Sequence, residues 1–305
     1  MTEVAIRAEE LGKTYGRITA LAGLSMAIPR GDIFGFLGPN GAGKTTAVKL
    51  LLGLSRATSG EAWVLGVPVS DRAAHRRARR HVGYLPELFR YQHWLSGREV
   101  LRVHCELIGL ERAVWATEIQ EALAIVGLDD RADDRVGGYS KGMQQRLGLG
   151  VALLGKPELV LLDEPTSALD PVGRHDVREI IRALKARGTT VFLNSHLLSE
   201  VELVCDRVAI VDHGRVIAVG TLDELLRTDS VRVHATDLSD AARGALRAFG
   251  ELGTDGPWIV VRGIDADRVP ELVAAIVGHG GRVHAVEPRH ESLEDRFLSL
   301  LEKPH

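Results

Sequence analysis

The stretch IFGFLGPNGAGKTTAVKLLLGL (residues 33–54) joins an apolar run to a helical pattern through a glycine-rich loop. The first part, IFGFL, has the composition of a buried strand, and TTAVKLLLGL has the spacing of a helix. Between them, residues 38–45 match the pattern G-x-x-x-x-G-K-[ST] in the strand-to-helix context that this pattern requires. The stretch therefore predicts an α/β domain with a phosphate-binding loop, rather than a glycine turn that only joins two elements.

The composition of this loop suits a nucleotide. Its glycines allow backbone N–H groups to curve around a phosphate, and the helix N-terminus adds a partial positive charge. Lys44 is expected to reach the β and γ phosphates, and the Thr45 hydroxyl is expected to ligate Mg²⁺. The residues expected to bind the nucleotide here are Gly38, Pro39, Asn40, Gly41, Ala42, Gly43, Lys44, Thr45 and Thr46.

The overall composition excludes several classes of protein. With 305 residues, 45% of them apolar, the chain is long enough for one large α/β domain and a smaller appendage, and it is not a disordered chain. Its 38 basic and 41 acidic residues give a net charge of −3, so no bulk field favours nucleic acid or anionic lipid. Its two cysteines, Cys105 and Cys205, exclude a disulfide framework and suit buried, reduced thiols in a cytoplasmic protein.

No segment of the sequence predicts insertion into a membrane. The first ten residues, MTEVAIRAEE, lack the basic flank and the apolar stretch of a signal peptide. No apolar run approaches the roughly 20 residues that span a bilayer. If the protein serves a membrane, we expect it to do so through a partner.

The order of elements predicts two parts with a boundary at residue 228. Residues 1 to about 220 alternate strands with helices, which predicts a parallel sheet covered by helices. Within this part, a helical subdomain is predicted at about residues 90–155, where Ser96 and Glu99 are placed as a capping box. Thr221 and Glu224 are placed as another capping box just before the boundary.

The second part, residues 229–305, is predicted to be a small α+β module. Its pattern indicates strand VRVHAT, helix LSDAARGALRAFG, strand WIVVRG, helix DADRVPELVAAIVGHGG, strand RVHAVEP and helix ESLEDRFLSLLE. The segment ELGTDGP (residues 251–257) is rich in glycine and acidic residues, and we interpret it as a turn.

A second chemical feature is LVLLDE (residues 159–164), an apolar strand that ends in two carboxylates. A strand buried on both faces brings such acids out at its carboxyl end, where open α/β sheets bind ligands. Asp163 is expected to hold Mg²⁺ through water, and Glu164 is expected to orient and polarise an attacking water. A strand exit with two solvated acids is the alternative, and the nearby phosphate loop disfavours it.

The segment YSKGMQQR (residues 139–146) resembles the signature of the ABC ATPase family, which is usually written LSGGQ and followed by QR. The positions that fit are Ser140, Gly142, Gln145 and Arg146, and those that depart are Tyr139, Lys141 and Met143. Alone, the segment could equally be the polar start of a helix. Its place about seventeen residues before the paired carboxylates, as in the family, favours the signature.

Three further segments resemble family elements, and they occur in the family's order. Tyr15 resembles the aromatic residue that stacks on adenine, and residues 167–170 (SALD), which end in Asp170, resemble the D-loop. His196 resembles the switch histidine, which can donate a hydrogen bond to the γ-phosphate. Taken singly, Tyr15 and His196 would more often be ordinary packing residues, but the ordered set disfavours that alternative.

One element departs from the family. GYLPELFR (residues 83–90) resembles the Q-loop but carries Glu87 where a glutamine usually stands. A carboxylate can still bind Mg²⁺ or water, and it adds negative charge beside a triphosphate. An exposed loop acid is the alternative. The preceding basic run, HRRARR (residues 75–80), is interpreted as a solvated helix face rather than as a contact with nucleic acid.

The resemblance covers about residues 3–225 and implies an α/β fold of the P-loop NTPase class in its ABC ATPase form. In that family the signature of one subunit faces the phosphate loop of another. A second ATPase subunit, most simply an identical chain, would therefore complete two sites for ATP and Mg²⁺. The implied roles are catalysis by Glu164 and His196, nucleotide contacts by Tyr15, Ser140, Gly142 and Asp170, and metal contacts by Thr45, Asp163 and Glu87.

The resemblance also implies a place and a task for the protein. It predicts an ATP-hydrolysing subunit at the cytoplasmic face of the cell membrane, held there by transmembrane permease subunits. The tail EPRHESLEDRFLSLLE (residues 287–302) is similar to the extension of ATPases that serve ABC-2-type exporters, so we expect export. The alternative is a soluble ABC ATPase acting on nucleic acid or ribosomes, and the chain shows neither the second ATPase domain nor the long coiled coil of such proteins.

Overall fold

The computed structural model describes residues 3–167, 169–290 and 292–301, and within these ranges all side chains except those of residues 227–229, 266 and 288–290. The chain forms two compact units, one ending at Thr221 and the other beginning at Leu222. The predictions made for Ala168 in the D-loop segment, and for Glu291 and Glu302 in the last helix, lie outside the described residues.

The first unit contains ten strands and seven α-helices among the described residues. The strands are β1 (Val4–Tyr15), β2 (Ile18–Pro29), β3 (Ile33–Leu37), β4 (Ser59–Val64), β5 (Val67–Pro68), β6 (Val82–Leu85), β7 (Leu159–Asp163), β8 (Thr190–Ser195), β9 (Arg207–Asp212) and β10 (Arg215–Thr221). The helices are α1 (Lys44–Leu51), α2 (Arg72–Ala78), α3 (Gly97–Leu107), α4 (Trp115–Ile125), α5 (Lys141–Leu153), α6 (Pro171–Ala186) and α7 (Leu198–Glu202).

A six-stranded sheet in the order β10-β9-β3-β8-β7-β6 forms the centre of this unit. Its strands are parallel except for β10, which pairs antiparallel with β9. Every residue of β3, β7 and β8 is buried, because helices cover parallel sheets on both faces. The parallel sheet predicted from the sequence is therefore confirmed. The carboxyl ends of its three central strands lead directly into the segments that carry the predicted chemistry.

The sequence did not predict a separate antiparallel sheet, in the order β2-β1-β4-β5, built largely from the first thirty residues. The expectation of short strands alternating with helices was wrong here, because β1 and β2 are each 12 residues long and no helix lies between them. Gly16, in the left-handed region with φ 59°, turns the chain from β1 into β2. Shifts in register within β1, for example between Ala8 and Leu11, hide the alternation that marks a strand.

Three helices, α3, α4 and α5, lie between β6 and β7 in the chain, in the range where the sequence predicts a helical subdomain. The predicted capping box is confirmed: Ser96 Oγ accepts from Glu99 N, and the Glu99 carboxylate accepts from Ser96 N at 2.8 Å. Cys105 in α3 and Cys205 ahead of β9 are both buried free thiols, as the sequence predicts.

The second unit has the strands β11 (Arg227–Thr236), β12 (Glu251–Asp255), β13 (Trp258–Arg262) and β14 (Arg282–His290), and the helices α8 (Leu222–Leu226), α9 (Asp240–Leu246), α10 (Val269–Gly278) and α11 (Leu293–Leu301). Its antiparallel sheet has the order β12-β13-β11-β14, and two of the helices connect the strands in the split βαβ arrangement. The buried core consists of Val231, Val233, Leu246, Ile259, Val261, Ile264, Leu272 and Ile276.

Two details of this unit differ from the sequence prediction. Glu251–Asp255 is a strand rather than part of a turn, because it pairs along its length with β13 and Leu252 packs against the core. The turn is confined to the two residues before β13, where Gly256 has φ 57°. The helix α8 belongs to the second unit, because it contacts α11, and the separation therefore precedes the predicted boundary at residue 228.

Candidate nucleotide-binding and hydrolysis site

The predicted phosphate loop, the two acids and His196 lie together at the carboxyl edge of the parallel sheet. The loop after β3, the acids that end β7 and the segment after β8 are neighbours, because β8 lies between β3 and β7. Together they form a pocket of about 300 Å³. Its lining residues are Ala20, Asn40, Gly41, Gly43, Lys44, Thr45, Thr46, Glu87, Asp163, Glu164, Asn194 and His196.

The loop between β3 and α1 has a backbone that only glycine accommodates at two points. Gly43 has φ 97°, and a Cβ there would lie 2.2 Å from the Ala20 carbonyl oxygen. A Cβ on Gly38 would lie 2.3 Å from the Val211 carbonyl oxygen. No side chain caps α1, so the N–H groups of its first turn are available to an anion.

Lys44 is buried within this loop. Its ammonium donates to the carbonyl oxygens of Gly38 at 2.6 Å and Pro39 at 3.3 Å. Burial lowers the pKa of Lys44, and the nearby carboxylates of Glu164, Asp163 and Glu87 oppose that shift. The ammonium thus stays inside the pocket, where a phosphate oxygen would be a stronger acceptor than the loop carbonyls.

The two acids that end β7 are both buried but have different partners. The Asp163 carboxylate accepts a hydrogen bond from the Asn194 side-chain amide. Burial raises the pKa of Asp163, and the Asn194 hydrogen bond opposes the rise. Glu164 lies 2.7 Å from His196 Nδ1 through Oε2, and its own backbone N–H donates to the Asn194 carbonyl oxygen at 2.8 Å.

The backbone at Glu164 is also unusual. Its φ of 53° lies in the left-handed region, which costs a residue with a Cβ roughly 1–2 kcal/mol. Such conformations persist where the surrounding structure holds them, and they cluster at functional sites. Here the turn carries the Glu164 side chain away from the strand and towards His196.

The side chains in this pocket suit a hard cation shared with a nucleotide. Thr45, Asp163 and Glu87 present oxygen atoms, which are the ligands that Mg²⁺ prefers. Among the described residues, no three His, Cys, Asp or Glu side chains lie close enough together to hold a metal by themselves. When Mg²⁺ binds together with a nucleotide, phosphates and waters usually supply most of its ligands.

Seven of the predicted nucleotide-contacting residues are absent from the lining of this pocket, and four of these lie outside the phosphate loop: Tyr15, Ser140, Gly142 and Asp170. The Tyr15 side chain is half exposed, and its hydroxyl lies 3.4 Å from Ser55 Oγ. Asp170 caps α6 by accepting from Gly173 N at 2.8 Å. Gly38, Pro39 and Ala42 belong to the loop without lining the pocket.

The signature segment lies at the start of α5 and is anchored by Tyr139. The Tyr139 side chain is buried, and its hydroxyl donates to the Arg131 carbonyl oxygen at 2.6 Å. A Cβ on Gly97 would lie 2.4 Å from that hydroxyl, so the tyrosine fills the space that Gly97 leaves. Ser140 follows it at the surface and caps α5.

No role was predicted for Asn194, which lies two residues before His196. In the structure its side chain holds Asp163, its carbonyl holds Glu164, and its Oδ1 is buried without a hydrogen-bond partner among the described residues. The sequence does contain an indication of this role, because a polar side chain near the end of a mainly apolar, buried strand requires a hydrogen-bond partner. Nothing in the sequence indicates that Ala20, whose carbonyl oxygen lies close to Gly43, belongs to the site.

The fold and this edge of the sheet define a nucleotide-binding protein of the P-loop class. A family profile described as ABC transporter matches residues 21–167. An uncharacterised ABC transporter ATP-binding protein of a Nostoc species is 40% identical over 292 residues, which cover 94% of this chain and 84% of the relative. The Nod factor export ATP-binding protein I of Burkholderia orbicola is 35% identical over 305 residues, covering 98% of each chain.

A solved structure described as the ATP-binding subunit of an ABC transporter has a TM-score of 0.65 to this chain at 31% identity, covering 72% of this chain and 91% of the other. The chain belongs to the ABC transporter ATP-binding proteins. It is the ATP-hydrolysing subunit of a transporter, and the comparisons give no support to the soluble alternative acting on nucleic acid or ribosomes. In the described part of the chain, every helix is too short or too polar to cross a bilayer.

Proposed function

We propose that two copies of the chain form a dimer in which each phosphate loop binds MgATP against the signature segment of the other copy. The observation that carries the proposal is the separation of the two half-sites within one chain. The phosphate-loop pocket contains Glu164 and His196 but none of the signature residues, and Ser140 lies exposed at the start of α5. A second copy would bring that serine to the pocket.

Within each site, Glu164 is the proposed general base. Its carboxylate has two oxygens, so it can accept a hydrogen bond from His196 and still take a proton from the attacking water. A carboxylate only accepts hydrogen bonds, so the His196 Nδ1 that contacts it carries the proton. His196 would then need a second proton on Nε2 to donate to the γ-phosphate at the same time.

Thr45, Asp163 and Glu87 are proposed to hold the metal, with Asn194 orienting Asp163. When bound with the nucleotide, Mg²⁺ neutralises charge that develops on the β and γ phosphates. Lys44 can add to that neutralisation by leaving the carbonyls of Gly38 and Pro39 for a phosphate oxygen. Tyr15 offers a half-exposed ring on which adenine can stack.

The surface proposed for the membrane partner follows Glu87. Leu88, Trp94 and Leu107 expose 87%, 71% and 73% of their surface, and large apolar side chains so exposed are candidates for contact with a partner. The loop that contains two of them is tied to α3, because the Tyr91 ring meets the His104 ring edge-on at 5.8 Å. A movement of Glu87 with the nucleotide would therefore reach this apolar surface.

The direction of transport is proposed to be export, and the place the cytoplasmic face of the membrane. The Burkholderia relative that spans nearly the whole chain is named for export, and the second unit of this chain is included in that match. Work would come from ATP binding the closed dimer more tightly than the open one, which shifts the population until hydrolysis reverses it.

The test is to reconstitute the chain in vesicles with its transmembrane permease, and to measure how far the permease stimulates the ATPase rate. Leu88→Gln is expected to reduce the stimulation at least about fivefold, because it removes a central apolar contact. Leu203→Gln, at an exposed leucine directly after α7 and outside this loop, is the same substitution made elsewhere; it is the control and is expected to keep the stimulation. Equal stimulation of both variants and the unaltered chain would show that the partner binds elsewhere.

A further inference from the structure

A second cavity in the first unit, of about 590 Å³, lies between α2, the end of α1 and the antiparallel sheet. It shares no lining residue with the phosphate-loop pocket. We call it the arginine pocket, because Arg56, Arg72, Arg76 and Arg79 line it together with His75. Most of these residues belong to the basic run that the sequence interpretation treated as a solvated helix face.

The charges around the arginine pocket are unbalanced. Four arginines line the pocket with a single acid, Glu61, whose Oε1 already accepts from the backbone N–H groups of Ala62 at 3.0 Å and Ser70 at 3.4 Å. Among the described residues, Arg56, Arg72 and Arg76 have no acidic partner within ion-pair distance. Like charges gathered around one cavity repel each other, and an anion placed among them removes that cost.

The imidazole of His75 is a second, independent sign of a ligand site. The residue is 3% exposed, and neither ring nitrogen has a hydrogen-bond partner of normal geometry among the described residues. Burial lowers the pKa of His75, and the carbonyl groups of Leu52 and Leu51 only partly oppose that shift. An unsatisfied buried polar group is costly, so a ligand that supplies the missing partner gains from it.

The ring is also fixed in place. Gly53 follows α1 in the left-handed region with φ 65°, and a Cβ there would lie 2.9 Å from His75 Cδ2. Arg79 is held as well, because its Nη1 donates to the Leu52 carbonyl oxygen at 3.2 Å. The neutral His75 ring and the Arg79 guanidinium are therefore positioned before any ligand arrives, while Arg72 and Arg76 remain exposed and can close on it.

We propose that the arginine pocket binds an anion that carries at least two phosphate groups, in addition to the ATP bound at the phosphate loop. Its volume lies within the roughly 300–1,000 Å³ of small-molecule sites. Guanidinium groups bind phosphate oxygens in a bidentate manner, and four of them suit more than one phosphate. The phosphates belong either to a soluble molecule or to a lipid headgroup.

The pocket adjoins the nucleotide site without belonging to it. Its lining includes Leu50 in the last turn of α1, six residues or about 9 Å along the helix axis from Lys44 at 1.5 Å per residue. On the other side, the carbonyl oxygen of Arg56 accepts from Lys13 Nζ at 2.7 Å. A ligand bound at Arg56 would therefore sit beside the strand that ends in Tyr15.

The test uses pyrophosphate in metal-free buffer, titrated calorimetrically into the full chain carrying Lys44→Ala to weaken the phosphate loop. Arg72→Gln with Arg76→Gln is expected to weaken binding at least about tenfold, or about 1.4 kcal/mol. Arg77→Gln with Arg80→Gln removes the same charge from exposed arginines that do not line the pocket, and is expected to change affinity less than about twofold.

Vesicles of phosphatidylcholine with and without cardiolipin, whose headgroup carries two phosphate groups, separate the two sources of phosphate. Sedimentation of the chain with the acidic vesicles, lost in Arg72→Gln with Arg76→Gln but kept in the control pair, indicates a headgroup. Pyrophosphate binding with the same dependence and no sedimentation indicates a soluble ligand. Equal losses in both pairs of variants, or no binding in either assay, would overturn the proposal.

Discussion

Two helices of the first unit begin at glycine-containing segments, and their N-termini are built differently. The helix α1 follows Gly43 without any side-chain cap, and its first residue, Lys44, is buried. The helix α5 follows Ser140, whose Oγ accepts from Met143 N at 3.2 Å, and this end of the helix is exposed. The N-terminus of α1 has no side-chain cap and lies in the phosphate-loop pocket. The N-terminus of α5 is capped by a side chain of the same chain and lies at the surface.

The difference shows what each end can contribute to a nucleotide. At α1 the backbone N–H groups of the first turn are free to donate hydrogen bonds to a phosphate. At α5 the serine oxygen is occupied as an acceptor, but a hydroxyl that accepts one hydrogen bond still has its own hydrogen to donate. The cap thus fixes Ser140 as a donor at the surface, where a phosphate bound to a second copy could receive it.

The largest effect is expected from a substitution in the phosphate-loop pocket, where α1 begins. Glu164→Gln is expected to lower the ATPase rate by about 10²–10⁴-fold while ATP still binds, because the amide keeps the shape but cannot act as a base. Steady-state ATPase assays and sizing chromatography with MgATP measure both, and the stalled variant is expected to accumulate as an ATP-bound dimer. Hydrolysis at a normal rate would remove Glu164 from the proposed role.

The two helix N-termini can be compared directly by replacing one glycine at each of them with alanine. Gly43→Ala is expected to weaken ATP binding at least about tenfold and to destabilise the fold by roughly 1–2 kcal/mol, because φ is 97° and the Ala20 carbonyl oxygen lies 2.2 Å from the new Cβ. Gly142→Ala is expected to keep stability, since the nearest atom, Ser140 Oγ, is 3.9 Å away and alanine favours a helix. Thermal unfolding and nucleotide titration compare them, and equal destabilisation would contradict the difference in construction.

A smaller effect concerns Glu87, at the edge of the same pocket as α1. Glu87→Gln is expected to keep most of the ATPase activity but to raise the Mg²⁺ concentration for half-maximal rate about two- to fivefold, because a neutral oxygen is a weaker ligand. A Mg²⁺ titration at fixed ATP measures this for both proteins. If the curves superimpose, Glu87 is no metal ligand and its role reduces to coupling with the membrane partner.

The smallest effect is expected from the second unit, since both compared helices lie in the first. Deletion of residues 222–305 is expected to leave nucleotide affinity within about threefold, because the two units are separately packed. The measurement is nucleotide titration of the shortened chain. A protein that folds but binds ATP about tenfold more weakly would show that the second unit supports the nucleotide site.

The parts of this molecule that the sequence predicted depend on residues close together in the chain. The strand, loop and helix around Gly38–Thr45, the acids that end β7 and the capping box of α3 are each determined by residues within a few positions of one another. Local sterics and hydrogen bonding decide such features, so their pattern is visible without the fold.

The parts that the sequence did not predict depend on contacts with other elements of the fold. The strand β12 forms because β13 lies beside it, although its glycine and acidic residues resemble a turn. The partly buried ion pair of Arg178 and Glu200, at 2.7 Å, joins α6 to the helix that follows His196, and no local pattern indicates it. The site residues from the signature remain predictions for the same reason, since their proposed partner is another copy of the chain.

The measurement that tests the account most directly mixes two inactive chains, one carrying Lys44→Ala and the other Ser140→Arg. In a symmetric dimer the mixed species pairs the intact loop of the second chain with the intact Ser140 of the first, which restores one of its two sites. We predict that each chain alone fails to form an ATP-bound dimer, whereas the mixture retains about one nucleotide per mixed dimer on a sizing column with MgATP. A mixture that retains no more ATP than the two chains measured separately, or a Ser140→Arg chain that dimerises and hydrolyses ATP normally, would contradict the shared site.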